Sequence, residues 1–187
     1  LFQPAEEGVR GAAAMAAGGV VDDVDIFIGA HLAMMAATGE IVTAPRGFLC
    51  TTKLDLRFHG KPAHAGVEPQ LGRNALAAAA HAVTQLLGIS RHGSGMTRIN
   101  VGEMRAGEGR NVIPVHAELK LEVRGETAVI NQYMVDQVGA IAEGIARSFG
   151  VEFEIEKMGE AVDLANDPAL VDVISEVAAS VPAVTKI

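Results

Sequence analysis

The order of elements predicts an α/β protein whose middle is a ferredoxin-like β-α-β-β-α-β unit. Three observations carry that reading. Apolar and polar residues alternate from Lys53 to Phe58 and again from Ala117 to Arg124, the period of strands with one wet face. Two longer stretches, one before Gly88 and one before Gly150, repeat apolar residues at helical spacing. Near the start, a small-residue segment stands between two short apolar runs, the order of a parallel strand–helix–strand crossover.

In that first unit, Leu1-Phe2 reads as the end of a strand and Val9 to Gly18 as the helical segment. Gly18-Gly19 stops the helix, and Val24-Asp25-Ile26-Phe27-Ile28 reads as a second, buried strand. Functional groups in parallel units collect past the carboxyl ends of the strands. Glu6 and Glu7 follow the first strand and His31 the second, so this topology predicts two carboxylates and an imidazole at one sheet edge. Such a set suits zinc, manganese or cobalt. One carboxylate could ligate while the other takes the proton of a metal-held water. Spacing alone equally admits two N-terminal helix charges beside an ordinary loop histidine, because three residues are not a specific metal signature. Glu40-Ile41-Val42-Thr43 reads as a short strand, and Pro45 with Gly47 marks a boundary.

The middle unit begins at Thr51. Leu54, Leu56 and Phe58 face one way and Lys53, Asp55 and Arg57 the other. Pro62 to Gly72 is a loop. Asn74 to Leu87 reads as a helix with Leu76, Ala79, Ala80, Val83 and Leu87 on its apolar face. Met96 to Met104 is the second strand, with Ile99 and Val101 inward, and Gly107 and Gly109 end it. The third strand alternates Ala117, Leu119, Leu121 and Val123 with Glu118, Lys120, Glu122 and Arg124. Thr127 is placed to cap a helix whose stripe is Ile130, Met134, Val138, Ile141, Ile145 and Phe149, with Gly150 at its end. Val151, Phe153 and Ile155 open the fourth strand. Asp167 followed by Pro168 starts a last helix, with Leu170, Val171, Ile174 and Val177 on its apolar side.

Composition narrows the function. The chain has 187 residues, 49% of them hydrophobic, which suffices for one medium core or two small ones. A net charge of −8 argues against nucleic acid and anionic membranes as partners. The single cysteine, Cys50, excludes an intrachain disulfide and reads as a small buried residue. No apolar run reaches transmembrane length. The first residue is Leu, inside an expected strand, so a piece of a longer protein is expected, with the cytoplasm as default compartment.

Several stretches together resemble the M20 metallopeptidase family in its amidohydrolase branch. They are Leu1-Phe2-Gln3-Pro4-Ala5-Glu6-Glu7-Gly8 with Gly11-Ala12 and Met15, then Gly29-Ala30-His31. Gly60-Lys61-Pro62-Ala63-His64-Ala65-Gly66 and Gly72-Arg73-Asn74-Ala75-Leu76 follow. Gly109-Arg110-Asn111-Val112-Ile113-Pro114 and Glu122-Val123-Arg124-Gly125 complete the set, in order, up to about Gly159. The resemblance implies a dimerisation or lid domain at residues 46–160, inserted in a parallel α/β zinc-peptidase-like catalytic domain. Residues 1–45 and 161–187 are then parts of that catalytic domain.

The same resemblance implies roles. Glu6 is the general base, Glu7 and His31 are metal ligands, and the cofactor is a divalent metal, two manganese or zinc ions per site. His64 reaches the active site of a neighbouring copy and polarises the scissile carbonyl, where an ordinary loop histidine would be solvated. Asn111 binds the substrate by its amide, against the plainer reading of a turn residue. Arg124 holds a carboxylate, against the plainer reading of an exposed ion pair. The implied reaction is hydrolysis of an N-acyl or aroyl amino acid amide, with p-aminobenzoyl-glutamate as leading substrate. Val20 to Asp25 and Ile130 to Tyr133 carry that finer likeness. A broader hippurate-type hydrolase and a module that serves only for association are the alternatives. The implied partner is a second copy or a related B subunit, paired through the lid. The family's upstream Cys and His ligands and its last His have no counterpart in these residues, so the chain alone is expected to be inactive and to hold metal weakly. His59, His81, His92 and His116 match no motif and read as structural or solvated.

Overall fold

The computed structural model describes residues 2–6, 8, 10–31 and 36–187. Four helices, α1 (Gly11–Ala17), α2 (Ala75–Leu86), α3 (Ala128–Phe149) and α4 (Pro168–Ala179), accompany four strands. The strands are β1 (Cys50–His59), β2 (Thr97–Ala106), β3 (His116–Gly125) and β4 (Glu152–Ala161). They form one antiparallel sheet in the order β2-β3-β1-β4, the expected β-α-β-β-α-β unit.

Alternation decides which face is buried. The β1–β3 register sets Thr52 opposite Val123, Leu54 opposite Leu121, Leu56 opposite Leu119 and Phe58 opposite Ala117. These side chains pack beneath α2 and α3 with Leu86, Met134 and Val138. The other face of the same two strands pairs Lys53 with Glu122, Asp55 with Lys120 and Arg57 with Glu118, opposite charges directly across the ladder. Arg57 is held hardest, by Glu156 at 2.8 Å, Glu118 at 3.0 Å and Asp55 at 3.2 Å. Hydrogen bonding to Glu156 and then Glu118 raises its pKa above the usual arginine value.

Three of the helices begin where a side chain satisfies a free N–H. Asn74 accepts from Ala77 at 2.9 Å, Thr127 from Ile130 at 3.4 Å and Asp167 from Leu170 at 3.0 Å. Gly150 takes a left-handed φ of +64° and ends α3.

The buried face of α2 differs from the expected one. Ala75, Ala78, Ala79, Ala82 and Leu86 are buried, while Leu76, Ala80 and Leu87 are exposed. Four alanines let the helix lie close on the sheet, and Leu76 and Leu87 fall on the wet side while Leu86 packs inward. β4 runs to Ala161, well past Ile155, and crosses a register shift opposite Lys53 and Leu54. It is an edge strand, and Phe153 on it is partly exposed.

Among the described residues the expected parallel strand pair does not appear. α1 occupies the predicted helical segment, but Val24 to Ile28 pairs with no strand among the described residues, and Ile26, Phe27 and Ile28 are exposed. A strand exists only through its neighbours, and none lies beside this one among the described residues. Leu1, in the other expected strand, lies outside the described residues, and Phe2 is exposed. Glu40 to Thr43 makes one bridge, Glu40 to Lys186, in place of a strand. The stretches before β1 and after β4 run together: Asn166 donates its backbone N–H to Pro45 O at 2.9 Å and its Nδ2 to Ala44 O at 2.7 Å. Phe48 bridges Leu164, and Thr43 Oγ1 meets Ser175 Oγ at 2.8 Å. α4 packs against none of the named strands or helices.

Candidate functional site

The loop that follows β1 is held on both sides by backbone. Lys61 and Arg73 exchange N–H···O bonds of 3.0 and 2.9 Å and close its base. On the other side, Ile113 N–H donates to Ala63 O and Ala65 N–H to Asn111 O, both at 2.9 Å. His64 and Val112 face each other between these two bonds. Two glycines make the packing feasible. A Cβ on Gly60 would overlap the Arg73 carbonyl, and one on Gly72 would overlap Ile113. His64 and Asn111, far apart in sequence, are therefore neighbours on two mutually paired loops.

The same loop selects the tautomer of His64. Gly66 N–H donates to His64 Nδ1 at 3.1 Å. A backbone N–H can only donate, so Nδ1 is the acceptor and a neutral ring carries its proton on Nε2. The exposed end of His64 is thus an N–H donor, suited to a carbonyl oxygen or oxyanion. Asn111 is exposed beside it.

Arg124 lies elsewhere. It is near the far end of β3 from His116, opposite Thr51 and Arg98, with Nε on Glu122 at 2.6 Å. Eight strand steps separate it from His116, roughly 27 Å at the usual rise. It does not join His64 and Asn111 within one chain.

Glu6 and His31 are exposed, and neither forms a hydrogen bond or ion pair with another described residue. Glu7 lies outside the described residues. Among the described residues no three His, Cys, Asp or Glu side chains converge as a metal cage. The described donors therefore do not by themselves fit the expected metal centre. Also among the described residues, no helix is long and apolar enough to cross a membrane.

At the same end of the sheet as His64, His59 and His116 are opposed across β1 and β3, with their Nδ1 atoms 3.2 Å apart. Sequence alone leaves them unrelated; only the register joins them.

A model of the M20 peptidase dimerisation domain matches residues 50–150, from the start of β1 to the end of α3, with β4 just beyond it. The chain belongs to the M20 peptidase family. A p-aminobenzoyl-glutamate hydrolase homolog of Haemophilus influenzae, of the A-subunit type, is 59% identical over all 187 residues, which are 44% of that protein. The indole-3-acetyl-aspartic acid hydrolase of Enterobacter agglomerans is 48% identical over 98% of the chain, 42% of its own length. The crystal structure of an aminobenzoyl-glutamate utilization protein from Klebsiella pneumoniae superposes with a TM-score of 0.84 at 48% identity, covering all of this chain and 48% of that one. This M20 chain thus spans less than half the length of these relatives. M20 metallopeptidase relatives imply a divalent metal.

Proposed function

We propose that the whole protein is a metal-dependent amidohydrolase that releases an amino acid from its N-acyl or aroyl amide. Its leading substrate is p-aminobenzoyl-glutamate, cleaved to p-aminobenzoate and glutamate. The observation that carries this is the 59% identity over the full chain to the Haemophilus influenzae relative. The indole-3-acetyl-aspartic acid hydrolase, at 48%, supports the wider class of acyl groups on an acidic amino acid. The enzyme is cytoplasmic, with manganese or zinc as the metal, two ions per site.

Residues 46–160 are the lid through which two copies, or this chain and a related B subunit, associate. Residues 1–45 and 161–187 belong to the catalytic domain, where Glu6 is the base and Glu7 and His31 are metal ligands. His64 donates Nε2–H to the scissile carbonyl, and Asn111 adds a second hydrogen bond. Arg124 pairs with a substrate carboxylate. The placement of Arg124 supports a shared site: if it and His64 touch one substrate, they come from different chains, because one acyl amino acid cannot span roughly eight strand residues.

The test is complementation in the whole protein. Glu6→Gln and His64→Ala variants are expected to be nearly inactive alone. Mixed so that the chains exchange partners, they recover part of p-aminobenzoate release, because one site of a mixed dimer keeps both residues. With a B subunit, the variants are placed on opposite chains. Exchange without recovery overturns the shared site, and no release from p-aminobenzoyl-glutamate by the wild type overturns the substrate.

A further inference from the structure

His59 closes β1 and His116 opens β3, and the two are direct register partners. Both side chains fall on the face away from the helices. Their Nδ1 atoms are 3.2 Å apart, and their rings meet edge to face at 5.4 Å and 78°. Two bare lone pairs do not sit at that distance, so one ring lends the other an N–H. The far side of His59 shows which. Its Nε2 faces Glu154 Oε2 at 3.9 Å, a placement that favours the proton on Nε2 and leaves Nδ1 as the bare acceptor. His116 Nδ1 is then the donor.

We propose that His59 and His116 form a binding site for one divalent transition-metal ion of the zinc, nickel or copper class. The distance is that of two nitrogens sharing a metal. At metal–nitrogen bonds of about 2.0–2.1 Å, a separation of 3.2 Å subtends about 100° at the ion, near tetrahedral. The ion takes the place of the proton between the rings. His116 shifts that proton to Nε2 through solvent, and both Nδ1 lone pairs turn to the metal. Glu154 behind His59 supplies the carboxylate that orients a metal-binding imidazole. Imidazole nitrogen selects this class over magnesium and calcium, which prefer oxygen.

The surroundings suit a cation. The pair lines an open cleft of about 370 Å³ with Arg57, Arg105, Glu108 and Glu118. That leaves room for the waters that complete the coordination sphere. The arginines carry little free charge: Arg57 is bonded to Asp55, Glu118 and Glu156, and Arg105 to Glu103. Carboxylates therefore outnumber cations around the two rings. A metal here clips β1 to β3 at the end where the His64 and Asn111 loops emerge.

The test is calorimetric titration of the 187-residue chain with zinc and with nickel, and thermal melting with and without each. One ion per chain and a higher melting temperature are expected. His59→Gln and His116→Gln should each weaken binding by more than the roughly 10–100-fold lost with an outer-shell partner. His81→Gln, at an exposed position on α2, should leave it unchanged. Zinc should shift the ring resonances of His59 and His116 in the wild type, which tests the site even if a variant folds poorly. Binding that survives both Gln variants, or zinc that moves other histidines and not these two, overturns the proposal.

Discussion

Asn131 Nδ2 donates to Thr52 Oγ1 at 2.6 Å, a buried bond that ties the long helix α3 to the strand β1 inside the sheet. The Oδ1 of the same amide is buried with no partner among the described residues, so among them the bond to Thr52 is the hydrogen bond this side chain makes. Thr52→Val removes the acceptor and keeps the shape. It should destabilise the chain by about 1–3 kcal/mol, the range for a buried polar group left unpaired. Adding Asn131→Leu should restore most of that, because neither partner then remains. Urea denaturation of the two variants and wild type checks the sequence of stabilities. A single variant as stable as wild type would show the bond contributes nothing.

The buried face of α2 can be read by two neighbouring truncations. Leu86 is fully buried and Leu87 is exposed. Leu86→Ala should lower unfolding stability by about 2–5 kcal/mol. Leu87→Ala should stay within about 0.5 kcal/mol of wild type. The reverse order would return the helix to the face with Leu76 and Leu87 inward.

Burial raises the pKa of the Cys50 thiol above its ordinary 9.0, and its contact with Asp163 Oδ1 at 3.4 Å adds to the rise. The folded state therefore favours the protonated thiol. That contribution is complete below pH 9.0 and is lost as pH rises through the higher folded value. Unfolding midpoints should fall above that pH in the wild type, and less steeply in Cys50→Ala. Native chain at neutral pH should react slowly with a thiol reagent, and unfolded chain quickly. Equal rates in both states would contradict the raised value.

How much of the fold the residues disclose on their own depends on where the information is local. Leu54, Leu56 and Phe58 against Lys53, Asp55 and Arg57 declare a strand and its faces unaided. Asn74, Thr127, Asp167 and Gly150 mark helix ends by their own hydrogen-bonding and backbone chemistry. The face of α2 is harder, because alanine is as common on wet helix surfaces as on buried ones. Only the sheet beneath Ala75, Ala78, Ala79 and Ala82 decides it. Val24 to Ile28 has the composition of a strand, but pairing belongs to the neighbour and cannot be read in the segment itself. The site divides the same way. His64 stands out in its glycine- and proline-bounded loop, whereas its nearness to Asn111 depends on a ladder between two loops. The meeting of His59 with His116 requires the register of β1 on β3, which alternation alone leaves open by steps of two residues.

The strand order sets a problem for synthesis on the ribosome. β1 is made first of the four but lies between β3 and β4, the last two to emerge. Until they do, its row of Leu54, Leu56 and Phe58 has no lasting neighbour, and nascent chains on adjacent ribosomes offer wrong ones. Lys53, Asp55 and Arg57 interrupt that row at every second position. Charges so placed make edge-to-edge stacking of identical segments unfavourable. In the finished sheet Lys53 and Arg57 pair across strands with Glu122 and Glu118, and Asp55 pairs with Arg57 beside it; during translation the three are gatekeepers that keep the segment single.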